Sequence, residues 1–223
     1  MSVQKTPRII FVDGFNTVGK DHFIAELNKR LPKPVINSDP RVWFPVFQKS
    51  RRYWDFIFRN LDQNDSIFNA HLHQLRSIEE KLNDGFTSDM VVVSNRSFVS
   101  SLNYNFIPEW FLERRIGGCD DTRASYLQTY KELIKKVFKD VPILMVNLDR
   151  FHGDKADLTL TQCVHELRAR MHARQPDLLM NDFYLEYLIQ SYKLPSQEIK
   201  DIYTYWEDAT SDDAQLIVDK YFN

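Results

Sequence analysis

The stretch Gly14-Phe15-Asn16-Thr17-Val18-Gly19-Lys20 follows the pattern G-x-x-x-x-G-K. Residues of these types at this spacing are suited to holding phosphate oxygens. The glycines let main-chain N–H groups turn inward. A helix opening at the end of the stretch adds the positive end of its dipole. Lys20 adds a full charge on a mobile stem, within reach of the terminal phosphates of a triphosphate. The same letters also suit a glycine turn that merely caps a helix, and the context separates the two readings. The apolar run 8–13 reads as a buried parallel strand, and Phe23, Ile24, Leu27 and Leu31 recur at helical spacing until Pro32 and Pro34. One position departs from the pattern. The residue after the lysine is normally Ser or Thr, whose hydroxyl touches Mg²⁺. Here it is Asp21, whose carboxylate can ligate Mg²⁺ directly, repel phosphates, or cap the helix.

The elements that must position this loop alternate in type. Further strands are predicted over 35–37, 90–93, 142–148 and 202–206. Helices are predicted over 53–58, 66–83, 124–138, 160–173, 184–192 and 214–222. Such alternation predicts an α/β fold with one parallel sheet of about five strands and helices on both faces. In these sheets ligands sit beyond the carboxyl ends of the strands. The chemistry is therefore expected at 13–21, 38–43, 94–101 and from Asp149 onward.

Composition narrows the classes. The 223 residues carry a net charge of −2, with 43% hydrophobic and 27% charged residues. That suits one globular domain over 1–223 and gives no global bias toward nucleic-acid polymer or anionic membrane. Two cysteines, Cys119 and Cys163, argue against a disulfide scaffold or zinc site and for a reducing compartment. Residues 1–8 contain no apolar signal-like run and no apolar run is long enough to span a bilayer, so a cytoplasmic protein is expected.

Four segments, in order, resemble the deoxyribonucleoside kinase and thymidylate kinase superfamily of P-loop kinases. Phe11-Val12-Asp13-Gly14 leads into the phosphate loop, where the family has an acid before the first glycine. Ser38-Asp39-Pro40-Arg41-Val42-Trp43 looks like its Glu-Pro-Val-x-x-Trp segment. Asn95-Arg96-Ser97-Phe98-Val99-Ser100 looks like its Glu-Arg-Ser-x-x-Ser. Arg168, Arg170 and Arg174, followed by Tyr184-Leu185-Glu186-Tyr187-Leu188, look like its arginine-rich lid and Pro-Leu-Glu-Tyr-Leu run. The resemblance implies a three-layer P-loop kinase fold with a lid at 168–183, Mg²⁺ as cofactor and ATP or another nucleoside triphosphate as phosphoryl donor. It implies that Asp39 is the general base, that Arg96 meets the acceptor end or the transferring phosphoryl group, and that Arg170 and Arg174 neutralise that group in passage, with Arg168 a further candidate. Gly14, Asn16, Thr17, Val18, Gly19, Lys20 and Asp21 would line the phosphates, with Asp21 on the metal. Trp43, Asn69, Arg76 and Phe98 would face the acceptor. The resemblance leaves a homodimer open.

A second departure accompanies Asp21: the acid that the family places before the strand-end arginine is Asn95 here. Three readings remain at this stage. The first is a deoxynucleoside kinase. The second is a thymidylate or other deoxynucleoside monophosphate kinase, for which Arg41, Arg51, Arg52 or Arg76 would bind the acceptor phosphate. The third is a nucleotide-binding module without catalysis, for which Asp21 and Asn95 speak most directly.

Overall fold

The structure is a computed structural model that describes residues 5–15, 17–33, 35–38, 74–75, 78–80, 82, 90–105, 119–149, 151, 157–174, 182–193 and 195–223. Its centre is a five-stranded, wholly parallel sheet in the order β2-β3-β1-β4-β5. The strands are β1 (Ile9–Asp13), β2 (Val35–Ser38), β3 (Val91–Asn95), β4 (Ile143–Leu148) and β5 (Tyr205–Ala209). β1, β3 and β4 are buried at every position. They can be, because both faces of a parallel sheet are covered and nearly every inward side chain here is Val, Ile, Leu, Met or Phe.

Between the strands lie α1 (Lys20–Arg30), α2 (Phe98–Asn105), α3 (Cys119–Val137), α4 (Leu160–Arg174), α5 (Asp182–Lys193), the short α6 (Gln197–Lys200) and α7 (Ala214–Phe222). α1 packs on α7, while α2 packs on α3 and α5, and α5 on α4. α1 ends where the sequence requires it to: Leu31, which precedes Pro32, is extended at ψ 130°, and its amide closes on the Leu27 carbonyl. α3 buries Leu127, Tyr130 and Ile134, a stripe at helical spacing that Phe138 continues just past the helix end. Among the described residues no helix is long and apolar enough to cross a membrane.

Two expectations need correction. The last strand occupies Tyr205–Ala209 rather than 202–206. Ile202 and Tyr203 are buried all the same, in the turn that follows α6, so their apolar character reports burial and not strand. α2 was not anticipated, because its Ser- and Asn-rich sequence has low helix propensity. Its cause is tertiary and lies in the site.

Candidate active site

β1 lies in the middle of the sheet, flanked by β3 and β4, so the carboxyl ends of three strands converge at the phosphate loop. The loop takes a shape that requires its glycines. Gly14 has φ 141° and Gly19 φ 104°. A Cβ on Gly14 would stand 2.5 Å from the Leu148 carbonyl oxygen, and one on Gly19 2.7 Å from the Ser211 Cβ. The first contact presses the loop against the end of β4 and the second against the β5–α7 connection. Thr17 also holds a left-handed φ of 69°, the kind of local strain that surrounding structure must enforce. Phe15 and Val18 turn inward and are buried; the Phe15 ring stacks on Phe151 at 5.7 Å and meets Tyr192 edge-on. Apolar anchors thus hold the loop from below.

Lys20, the first residue of α1, is 8% exposed, and its Nζ donates to the carbonyls of Gly14 at 2.6 Å and Phe15 at 2.8 Å. The ammonium therefore lies across the loop itself. Arg170 reaches the same loop from α4: its Nη1 donates to the Thr17 carbonyl at 3.3 Å, and its Nε lies 3.8 Å from Glu166 one turn back. The arginine expected from a lid 150 residues downstream thus stands beside the phosphate cradle. Arg168 points elsewhere and pairs with Asp182 at the start of α5. Arg174 is the last residue of α4.

At the tip of β3, Arg96 is held at φ 75°. Its amide donates to the Val12 carbonyl at 2.8 Å, and its carbonyl accepts from Ser94 Oγ at 3.0 Å. Its Nη1 donates to Ser100 Oγ at 2.9 Å. A non-glycine residue in this region is uncommon, and such strain concentrates where a side chain must be aimed.

Sequence reasoning missed what lies behind that arginine. Asp13 is fully buried, and six donors converge on its carboxylate: the amides of Gly14, Ser97 and Ser100 at 2.8, 2.9 and 3.1 Å, the hydroxyls of Ser97 and Ser100 at 2.6 and 2.5 Å, and the Tyr192 hydroxyl at 3.2 Å. Ser97 immediately precedes α2 and Ser100 lies in its first turn, so a carboxylate on β1 caps a helix more than eighty residues away. This explains why a weak helix former is helical. Burial pushes the nearby Tyr130 and Tyr203 phenols well above their ordinary range, and the negative Asp13 adds to this. Both rings therefore stay neutral beside it. The clue was present in Ser97-x-x-Ser100: hydroxyls three apart fall on one helix face.

Phe98 had been expected to wall the acceptor. It is instead fully buried and stacked on Tyr130 at 4.2 Å, so it packs α2 on α3 because it follows the buried Ser97 into the core. Asn16, Asp39, Trp43, Asn69 and Arg76 lie outside the described residues.

The two departures from pattern meet. Asn95 Nδ2 donates to Asp21 Oδ1 at 2.9 Å, joining the tip of β3 to the first turn of α1. Two buried polar atoms beside the loop, Asn95 Oδ1 and Thr17 Oγ1, have no hydrogen-bond partner among the described residues. Buried polar atoms are nearly always paired, so each marks a place where a ligand would supply the partner. The donor set fits Mg²⁺, a hard cation that takes one or two carboxylates and fills the rest of its shell with phosphate oxygens and water. Among the described residues no three His, Cys, Asp or Glu side chains form a closed metal cage.

No protein-family model matches the sequence, and no curated protein does. Solved structures similar to the chain include two of one deoxyadenosine kinase and one of a thymidylate kinase. Deoxyadenosine kinase from M. mycoides with bound dATP has 14% identity, covers 95% of this chain and 98% of its own, and gives a TM-score of 0.44. The same enzyme with products dCMP and dCDP has 15% identity, coverages of 95% and 97%, and a TM-score of 0.45. Thymidylate kinase from Candida albicans has 13% identity, coverages of 96% and 92%, and a TM-score of 0.49. Likeness at this distance does not speak to substrate. What the chain itself shows is a parallel α/β fold with strand order β2-β3-β1-β4-β5 and a glycine loop joining its central strand β1 to α1.

Proposed function

We propose that the protein transfers the γ-phosphoryl group of ATP or another nucleoside triphosphate to a deoxynucleoside. One observation carries this reading: a left-handed glycine loop at a parallel strand end is crossed by the Lys20 ammonium and approached by Arg170 within 3.3 Å of Thr17. Phosphoryl transfer asks a protein mainly to position charged groups and neutralise developing charge, and a cradle flanked by cations meets that demand. In this reading the amides of 15–20 hold the phosphates, Lys20 reaches the terminal ones, and Arg170 and Arg174 face the group in transit. Arg96 holds the acceptor end. Asp39 takes the proton of the acceptor hydroxyl, while Trp43, Asn69 and Arg76 line the acceptor. Asp21 holds Mg²⁺, which neutralises phosphate charge when bound. The deoxynucleoside acceptor is favoured by the resemblance of the 38–43 and 184–188 segments to nucleoside kinases.

A panel of nucleosides and nucleoside monophosphates, each with ATP and Mg²⁺, tests this directly. Turnover of nucleosides is the expected result. Turnover of monophosphates alone would move the acceptor assignment to a monophosphate kinase, and ATP binding with no transfer would leave only a nucleotide-binding module. Arg170→Ala is expected to lower kcat about a hundredfold while KM changes little, as for a contact made mainly in the transition state. A change confined to KM would remove Arg170 from the transfer step.

A further inference from the structure

We propose that the metal-side carboxylate of this chain has moved from the tip of β3 to the first turn of α1, so that Asp21 faces the cation of a metal–nucleotide complex and Asn95 is its positioning residue. The inference rests on the nucleotide reading of the loop and concerns how that site selects its cation-bound form. Asp21 directly follows the phosphate-loop lysine, and its side chain is exposed at the helix start. Asn95 is 8% exposed and holds Asp21 Oδ1 through Nδ2 at 2.9 Å, while its own Oδ1 is buried without a partner among the described residues. The pair thus offers one charged and one neutral oxygen donor, both hard, on two elements locked together by a hydrogen bond.

The charge arithmetic explains why both positions differ from the usual pattern together. A hydroxyl at 21 with an acid at 95 carries one negative charge, and so does an acid at 21 with an amide at 95. An acid at both places would set two like charges about 3 Å apart beside a triphosphate, and repulsion would be severe. Two neutral residues would leave the cation with no carboxylate. Asparagine is the residue that can donate to the relocated carboxylate and still present an oxygen.

Calorimetric titration of ATP into the full-length protein, with Mg²⁺ and with EDTA, reads this without turnover. The wild type is expected to bind ATP more tightly with Mg²⁺. Asp21→Ser should reduce that Mg²⁺ dependence about tenfold or more, as loss of a metal-side partner does. Asn95→Asp should weaken binding in EDTA while Mg²⁺ restores it, and Asp21→Ser with Asn95→Asp should recover the Mg²⁺ dependence lost in Asp21→Ser. Full Mg²⁺ dependence in Asp21→Ser, or a double variant no better than the single, would overturn the relocation. Wild type that binds ATP equally with and without Mg²⁺ would also overturn it, leaving the nucleotide reading intact. Wild type that binds no ATP would bring down both.

Discussion

Replacing Lys20 by alanine is expected to abolish phosphoryl transfer, a loss of about three orders of magnitude or more, while far-ultraviolet circular dichroism stays that of the wild type. Two features give the effect its size. The ammonium lies across the loop, 8% exposed and 2.6 Å from the Gly14 carbonyl. In so enclosed a place a positioned charge is worth far more than in water, and removal of a single such donor commonly costs a hundredfold to a thousandfold. The same ammonium also bridges Gly14 and Phe15, so the substitution loosens the loop as well as discharging it. Lys20→Arg separates the two contributions. A guanidinium keeps the charge but is planar and bulkier than an ammonium, so it is expected to keep part of the ATP affinity and little of the rate. Turnover by Lys20→Ala within tenfold of wild type would show that the cradle does not work through this residue.

Asp13→Asn is expected to be the most destabilising conservative substitution in the site, by about 3 kcal/mol or more in denaturant unfolding. The exchange turns an acceptor-only carboxylate into an amide whose NH₂ faces donors. The amides of Gly14, Ser97 and Ser100 and the hydroxyls around them point at a carboxylate that is fully buried. Because Asp13 caps α2 and α2 carries Ser100, the damage extends to Arg96, whose Nη1 rests on Ser100 Oγ. Ser100→Ala isolates that second effect. It removes one hydrogen bond to Asp13, worth about 1 kcal/mol, and releases the Arg96 side chain, so kcat should fall much further than stability. Asp13→Asn unfolding at the wild-type denaturant concentration would mean that the six donors around Asp13 contribute no net stabilisation.

The phosphate loop, β1, α1, β4 and α7 were legible in the linear sequence because their causes are local. Continuous β-branched and aliphatic runs make buried parallel strands, proline stops a helix, and G-x-x-x-x-G-K encodes its own backbone turn. The resemblance already put Arg170 ahead of Arg168; that Arg170 donates to the Thr17 carbonyl while Arg168 pairs with Asp182 was not legible. Local pattern also misplaced β5, because apolar residues in a buried turn look like apolar residues in a strand.

What the sequence by itself determined was the chemistry on offer: a G-x-x-x-x-G-K loop with its lysine, arginines far downstream of it, and two departures from pattern at Asp21 and Asn95. Only the tertiary structure decided which groups meet. Asp21 and Asn95 are 74 positions apart and Asp13 and Tyr192 are 179 apart, yet each pair lies within hydrogen-bond distance. The physical reason is that sheet order places the tips of β3, β1 and β4 side by side irrespective of the chain between them. A buried carboxylate then takes its donors from whichever elements that order brings to it.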